Sequence, residues 1–217
     1  MAGALVLALV VLLLVGTARG MTAAAPYTGS TPDEFVAWIG PHARDGHRRH
    51  GVPASVTIAQ AALESGWGRS ELAKRAANLF GIKAGSSWRG RVISATTREY
   101  VNGEWVTVPG VWKVYPTSDA AVAAGLSRES LFRVYPSPLE GLADHARVLY
   151  NGRYTAALAV RTDPEAFAHA LTGVYATDPA YGEKLVGTMR ARNLTTWDVP
   201  PASWALDPGV VPPEWRA

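Results

Sequence analysis

Thr97-Arg98-Glu99-Tyr100-Val101-Asn102-Gly103-Glu104-Trp105-Val106-Thr107-Val108 is rich in β-branched and aromatic residues on both sides of a central Asn-Gly pair. Asn and Gly accept the positive φ angles of a tight primed turn, so the stretch predicts a hairpin with a two-residue loop. That turn pairs Val101 with Glu104, Tyr100 with Trp105 and Glu99 with Val106. Glu99, Val101, Glu104 and Val106 then share one face. The β-rich character begins at about Arg91.

Working outward in both directions, the signals become helical. Thr31-Pro32-Asp33-Glu34 and Ser137-Pro138-Leu139-Glu140 read as capping boxes with proline in the first turn, and Asp163-Pro164 and Asp178-Pro179 as two further helix starts. Pro41 is expected to end or kink the first helix, leaving a basic, exposed stretch to His50. A second helix opens at Pro53 and is apolar on most sides through Leu63, which predicts a central position, with Gly66 as a left-handed stop. Val111-Trp112-Lys113-Val114-Tyr115-Pro116 is echoed by Leu131-Phe132-Arg133-Val134-Tyr135-Pro136 twenty residues later, with a helical segment expected near 117–130. Helices, one hairpin, then helices describe an α+β fold: a mainly helical lobe with a small β-hairpin lobe.

The 217 residues, 48% of them hydrophobic, suffice for one well-buried domain. Residues 30–198 are assigned to it. An apolar run from Ala4 to Val15 followed by small residues reads as a signal segment over 1–20, too short to span a membrane comfortably, with 21–29 as linker. A secreted or wall-associated protein follows, without stable membrane insertion once the leader is removed; Met21 is an alternative start that would make the chain leaderless. Five prolines between 199 and 217 mark an irregular tail. A formal charge of +3 is too small and too dispersed to indicate nucleic acid. The absence of cysteine excludes disulfides and thiolate chemistry. No spacing among the five histidines suits a metal, and no phosphate loop or serine elbow is present, so neither metal nor cofactor is expected.

Glu64 ends the apolar helix, where a dry setting and the negative end of the helix dipole both disfavour its charged form. A carboxylic acid kept protonated near neutral pH can protonate a glycosidic oxygen. The alternative is a structural ion pair with Arg69 or Arg75.

Gln60-Ala61-Ala62-Leu63-Glu64-Ser65-Gly66-Trp67-Gly68, Asn78-Leu79-Phe80-Gly81-Ile82-Lys83, Trp88-Arg89-Gly90, Thr97-Arg98-Glu99-Tyr100, Phe132-Arg133-Val134-Tyr135 and Tyr175-Ala176-Thr177-Asp178-Pro179 occur in this order. Together, over about residues 33–195, they resemble the glucosaminidases of glycoside hydrolase family 73. The resemblance implies a lysozyme-like fold and cleavage of the β-1,4 bond after N-acetylglucosamine in peptidoglycan glycan strands. It implies Glu64 as proton donor and Glu99 as the second carboxylate, with Glu104 on the same hairpin face as runner-up and attack by the substrate's acetamido oxygen as a third route. Tyr175 would line the cleft near the acid; Tyr181 is read as core packing and Asp178 as a helix cap. Trp67 and Trp88 are candidate sugar platforms as well as core anchors, and Asn78 is a candidate that shapes the cleft through backbone bonds. A monomer is expected. The rival functions are a muramidase or lytic transglycosylase using the same acid, and a silent wall-binding module.

Overall fold

The computed structural model describes residues 27–101 and 104–200, excluding the side chains at 98–101 and 105. The expected signal segment, the expected Asn102-Gly103 turn and the expected irregular tail from Pro201 onward lie outside the described residues. Helix α1 (Pro32–His50) begins at a closed capping box: Glu34 N donates to Thr31 Oγ1 at 3.2 Å and Thr31 N to Glu34 Oε2 at 2.9 Å. It does not end at Pro41, contrary to expectation, but runs on to a left-handed cap at Gly51 (φ 70°). Phe35, Ile39, Ala43, His47 and His50 form one buried stripe through the helix, and burial on both sides of the proline offsets the hydrogen bond it deletes. The same stripe corrects the reading of the basic stretch, because spacings of four and then three residues carry His47 and His50 to the core side, 4% and 7% exposed. The packed chain also starts earlier than the sequence suggested: Tyr27 lies against Phe35 and Trp38, each at a ring separation of 5.3 Å.

Helix α2 (Ala54–Ser65) is enclosed from Ala54 to Ala62, as its apolar composition requires, and meets solvent only at Leu63 and Glu64. Gly66, at φ 58°, stops it in the left-handed region. Its first turn has no side-chain cap of its own. Asp198 supplies one from the far end of the chain, where Oδ1 accepts from Ser55 N at 2.9 Å, a favourable place for a carboxylate. Short helix α3 (Glu71–Ala76) leads into the β-lobe.

Strand β1 (Val92–Ser94) is the centre of a three-stranded antiparallel sheet. The hairpin β2 (Thr97–Val101) and β3 (Glu104–Val108) pairs in the expected register, with Glu99 opposite Val106 and Val101 opposite Glu104. β4 (Lys113–Tyr115) and β5 (Leu131–Arg133) flank β1 on either side, so the duplicated hexapeptides are its two neighbours. Their registers differ by two residues, since Val92 faces Tyr115 on one side and Arg133 on the other. Helix α4 (Ser118–Ala123) and a 3-10 turn at Arg128–Ser130 occupy the segment between them.

Helix α5 (Pro138–Leu149) starts with the second capping box, at Ser137 and Glu140. Helices α6 (Thr155–Ala159), α7 (Pro164–Ala170, capped by Asp163) and α8 (Tyr181–Ala191) close the helical lobe around α2. α8 is capped at Ala180 and not at Asp178, which instead accepts from Ala180 N at 2.9 Å and pairs with Lys184, holding the turn before the helix.

His145, on α5, is fully buried and stacked on Phe80 at 3.8 Å, with neither ring nitrogen hydrogen-bonded among the described residues. Burial lowers its pKa from 6.5 to about 3. Folding therefore requires the neutral ring, so this group costs nothing above pH 6.5 and destabilises progressively as pH falls toward 3. The penalty is about 2 kcal/mol at pH 5. His145→Leu should narrow the stability difference between pH 7 and pH 5 by that amount in urea titrations, whatever its packing cost; an unchanged difference would refute the assignment.

Candidate active site

The last turn of α2 brings Glu64 out of the core. Its residue surface is exposed, yet enough protein crowds the carboxyl that desolvation raises its pKa, with an opposing hydrogen bond from Tyr181. The fully dry setting expected from sequence is thus a half-dry one at the surface, which is what access by a polymer demands. The alternative of a structural ion pair does not survive. Arg69 Nε donates to Gly66 O at 3.0 Å and Arg75 pairs with Glu71 at 2.7 Å.

Tyr181 is the partner the sequence reading missed. Its hydroxyl donates to Glu64 Oε1 at 2.8 Å and accepts from Gln60 Nε2 at 3.2 Å. Gln60 and Glu64 stand one turn apart on α2, so both face the start of α8. Gly182 lets the start of α8 pack closely on the end of α7: a Cβ there would sit 2.8 Å from His169 Cα and from Thr172 Oγ1. Tyr181 is 5% exposed, which agrees with a core residue, but its polar tip is committed to the carboxyl. The only sequence signal was its position at the end of the Tyr-Ala-Thr-Asp-Pro run. With Oε1 occupied by a donor, an acidic proton on Glu64 belongs on Oε2, the oxygen left for a substrate.

Tyr181→Phe removes a bond that favours the carboxylate, so the Glu64 pKa should rise further and the alkaline limb of the activity profile should move to higher pH. It also leaves the buried Gln60 amide without that partner, at a cost of about 1 kcal/mol. A pH–rate profile with thermal unfolding measures both, and an alkaline limb that stays in place would contradict the coupling.

Tyr175 stacks on Tyr181 at 5.8 Å and 11°, lies 6.2 Å from Tyr154, and donates to Phe80 O at 3.4 Å. Asn78 is 1% exposed, and its side-chain hydrogen bonds among the described residues go to Ile82 and Arg133. Its amide donates to Ile82 O and Arg133 O at 3.0 Å each and its carbonyl accepts from Ile82 N at 3.0 Å, fixing the loop that carries Phe80. Trp67 is a packing residue, edge-on to Phe35 at 6.0 Å with the Arg192 guanidinium over its ring. Trp88 is half-buried, donates Nε1–H to Arg91 O, and carries the Arg133 guanidinium over its ring at 4.9 Å. Glu99 holds its place on β2, but its side chain lies outside the described residues. Glu104 is exposed on β3. Glu64, Tyr181, Tyr175 and the Asn78 loop are therefore assembled at one place, with the hairpin as a separate two-stranded ribbon. Among the described residues no group of three or more His, Asp or Glu could hold a metal ion, and no helix is long and apolar enough to cross a membrane.

The family model described as Glucosaminidase: Mannosyl-glycoprotein endo-beta-N-acetylglucosaminidase matches residues 40–194. The peptidoglycan hydrolase FlgJ of Salmonella typhimurium is 36% identical over 171 residues, covering 76% of this chain and 48% of that protein. A protein of Lactococcus lactis subsp. lactis named Probable N-acetylmuramidase is 37% identical over 179 residues, covering 79% of this chain and 36% of its own. The crystal structure of the catalytic domain of the autolysin Auto from Listeria monocytogenes superimposes with a TM-score of 0.62 at 33% identity, over 81% of this chain and 92% of that one. The chain spans between a quarter and a half of the length of the curated relatives it matches.

Proposed function

The chain belongs to the glucosaminidase family, with a lysozyme-like α+β fold, and from that membership we propose that it is a peptidoglycan hydrolase, an endo-β-N-acetylglucosaminidase cutting the β-1,4 bond after N-acetylglucosamine. The observation that carries the reading is the Glu64 carboxyl: open to a polymer, raised in pKa by crowding, and pinned at one oxygen by Tyr181. In this reaction Oε2 of Glu64 protonates the glycosidic oxygen as the bond to the anomeric carbon breaks. The positive charge that develops on the sugar ring faces the stacked phenols of Tyr175 and Tyr181. Glu99 is assigned as the base that activates water because its Thr-Arg-Glu-Tyr setting resembles that of the family's second carboxylate, with Glu104, on the same hairpin face, as the alternative. The apolar amino-terminal run supports export, and the wall is the proposed place of action.

A muramidase is the second reading, favoured by the name of the Lactococcus relative, because the same acid serves a bond on the other side of the sugar. Digestion of purified peptidoglycan, borohydride reduction and mass spectrometry of the new ends decide between them. Reduced N-acetylglucosamine ends are expected; reduced or anhydro muramic ends would move the activity to the rivals, and no cleavage would leave a binding module.

A further inference from the structure

Tyr154, which packs on Tyr175 next to the acid, also lines a cavity of about 690 Å³ whose wall includes Trp88, Arg133, Asp144, Arg147 and Arg153. Three arginines and one aspartate give it a net positive lining. Arg133 is spoken for: it bonds Asp144 Oδ2 at 2.6 Å and Lys83 O at 3.1 Å and lies over Trp88. Tyr135 donates to the same Asp144 oxygen at 2.5 Å, so the one carboxylate in the wall is held by two neighbours through Oδ2. Arg147, in the last turn of α5, and Arg153, in the 3-10 turn Gly152–Tyr154, are exposed and make no ion pair among the described residues. Their forks are left facing a concave, polar space.

We propose that Arg147 and Arg153 form a subsite for a carboxylate carried by the glycan substrate beside the bond that is cut, an inference that rests on the peptidoglycan reading above. Two carboxylates of such a strand have this chemistry: those of the peptide stem, and the lactyl group of a muramic acid that has lost its stem. Two ring spacings, 5.8 Å from Tyr181 to Tyr175 and 6.2 Å from Tyr175 to Tyr154, separate the phenol bonded to Glu64 from the cavity wall. A neighbouring saccharide with its substituent bridges that interval. The fixed Arg133–Trp88 pair gives the subsite a rigid floor, so the two free guanidiniums are the adjustable part.

The test uses three polymers: intact strands, strands whose stem carboxylates are converted to methylamides by carbodiimide coupling, and strands stripped of stems by an amidase. Wild type should cut intact strands with about a tenfold higher kcat/KM than amidated ones, the scale of two partly exposed charge pairs. The double variant Arg147→Gln/Arg153→Gln should cut the two at equal rates. Stripped strands cut as well as intact ones would show that a freed lactyl carboxylate can take the place of the stem's, and stripped strands cut as poorly as amidated ones restrict the subsite to the stem. Wild-type indifference to amidation, or a preference that survives in the double variant, overturns the subsite while leaving the hydrolase. Failure of wild type to cut any of the three polymers removes the peptidoglycan reading, and the subsite with it.

Discussion

Glu64→Gln is expected to lower turnover on peptidoglycan by about a thousandfold, the scale of a lost general acid. Glutamine keeps the shape and still accepts from Tyr181, but it has no proton to give to a leaving oxygen. Stability should move the other way. Crowding raises the Glu64 pKa above that of the unfolded chain, so the folded protein holds its proton more tightly. That preference costs nothing below the unfolded pKa and becomes a penalty as pH climbs through the raised one. At pH 7 the variant should therefore melt at or above the wild-type temperature, and below pH 4 the difference should vanish. Calorimetry beside a turnover assay separates the two effects. Residual activity within tenfold of wild type would end the case for Glu64 as the acid, and a lower melting temperature at pH 7 would mean that its carboxyl stabilises the fold.

Glu64 was legible as a candidate acid because its context is local: one apolar helix, one glycine stop, one carboxyl at the exit. The hairpin register was legible for the same reason, since two turn residues determine every pair behind them. Tyr181 was not legible, because what distinguishes it from a core tyrosine is a contact with a residue 117 positions away. Asp198 is hidden in the same manner, capping α2 across 143 positions from a stretch that reads only as the approach to a tail. Pro41 and the buried histidines of α1 failed for another reason. Propensity and charge argued for an interrupted, exposed segment, and the four-residue stripe of Phe35, Ile39, Ala43 and His47 overrode both once there was a core to receive it.

Asn78→Ala should destabilise the protein by about 3 kcal/mol, since it strands a buried N–H and two carbonyls. For a domain of this size that is about 6–12 °C in melting temperature. The three bonds of Asn78 span two structures: two close the loop to Ile82, and the third reaches Arg133 O at the end of β5. Leu79 and Phe80 inside that loop are 2% and 3% exposed, and Phe80 is the plate on which His145 stacks and the acceptor for Tyr175. Loosening the loop should therefore release Tyr175 and Arg133 together, the phenol beside the acid and the floor of the cationic cavity. Asn78→Asp tests whether geometry or volume matters: it is isosteric, it still accepts from Ile82 N, but it has no amide hydrogen for the two carbonyls. Chemical denaturation should place the aspartate variant nearer to alanine than to wild type. If instead aspartate folds as stably as asparagine, the carbonyls are satisfied by other means and the loop is held by its apolar residues alone.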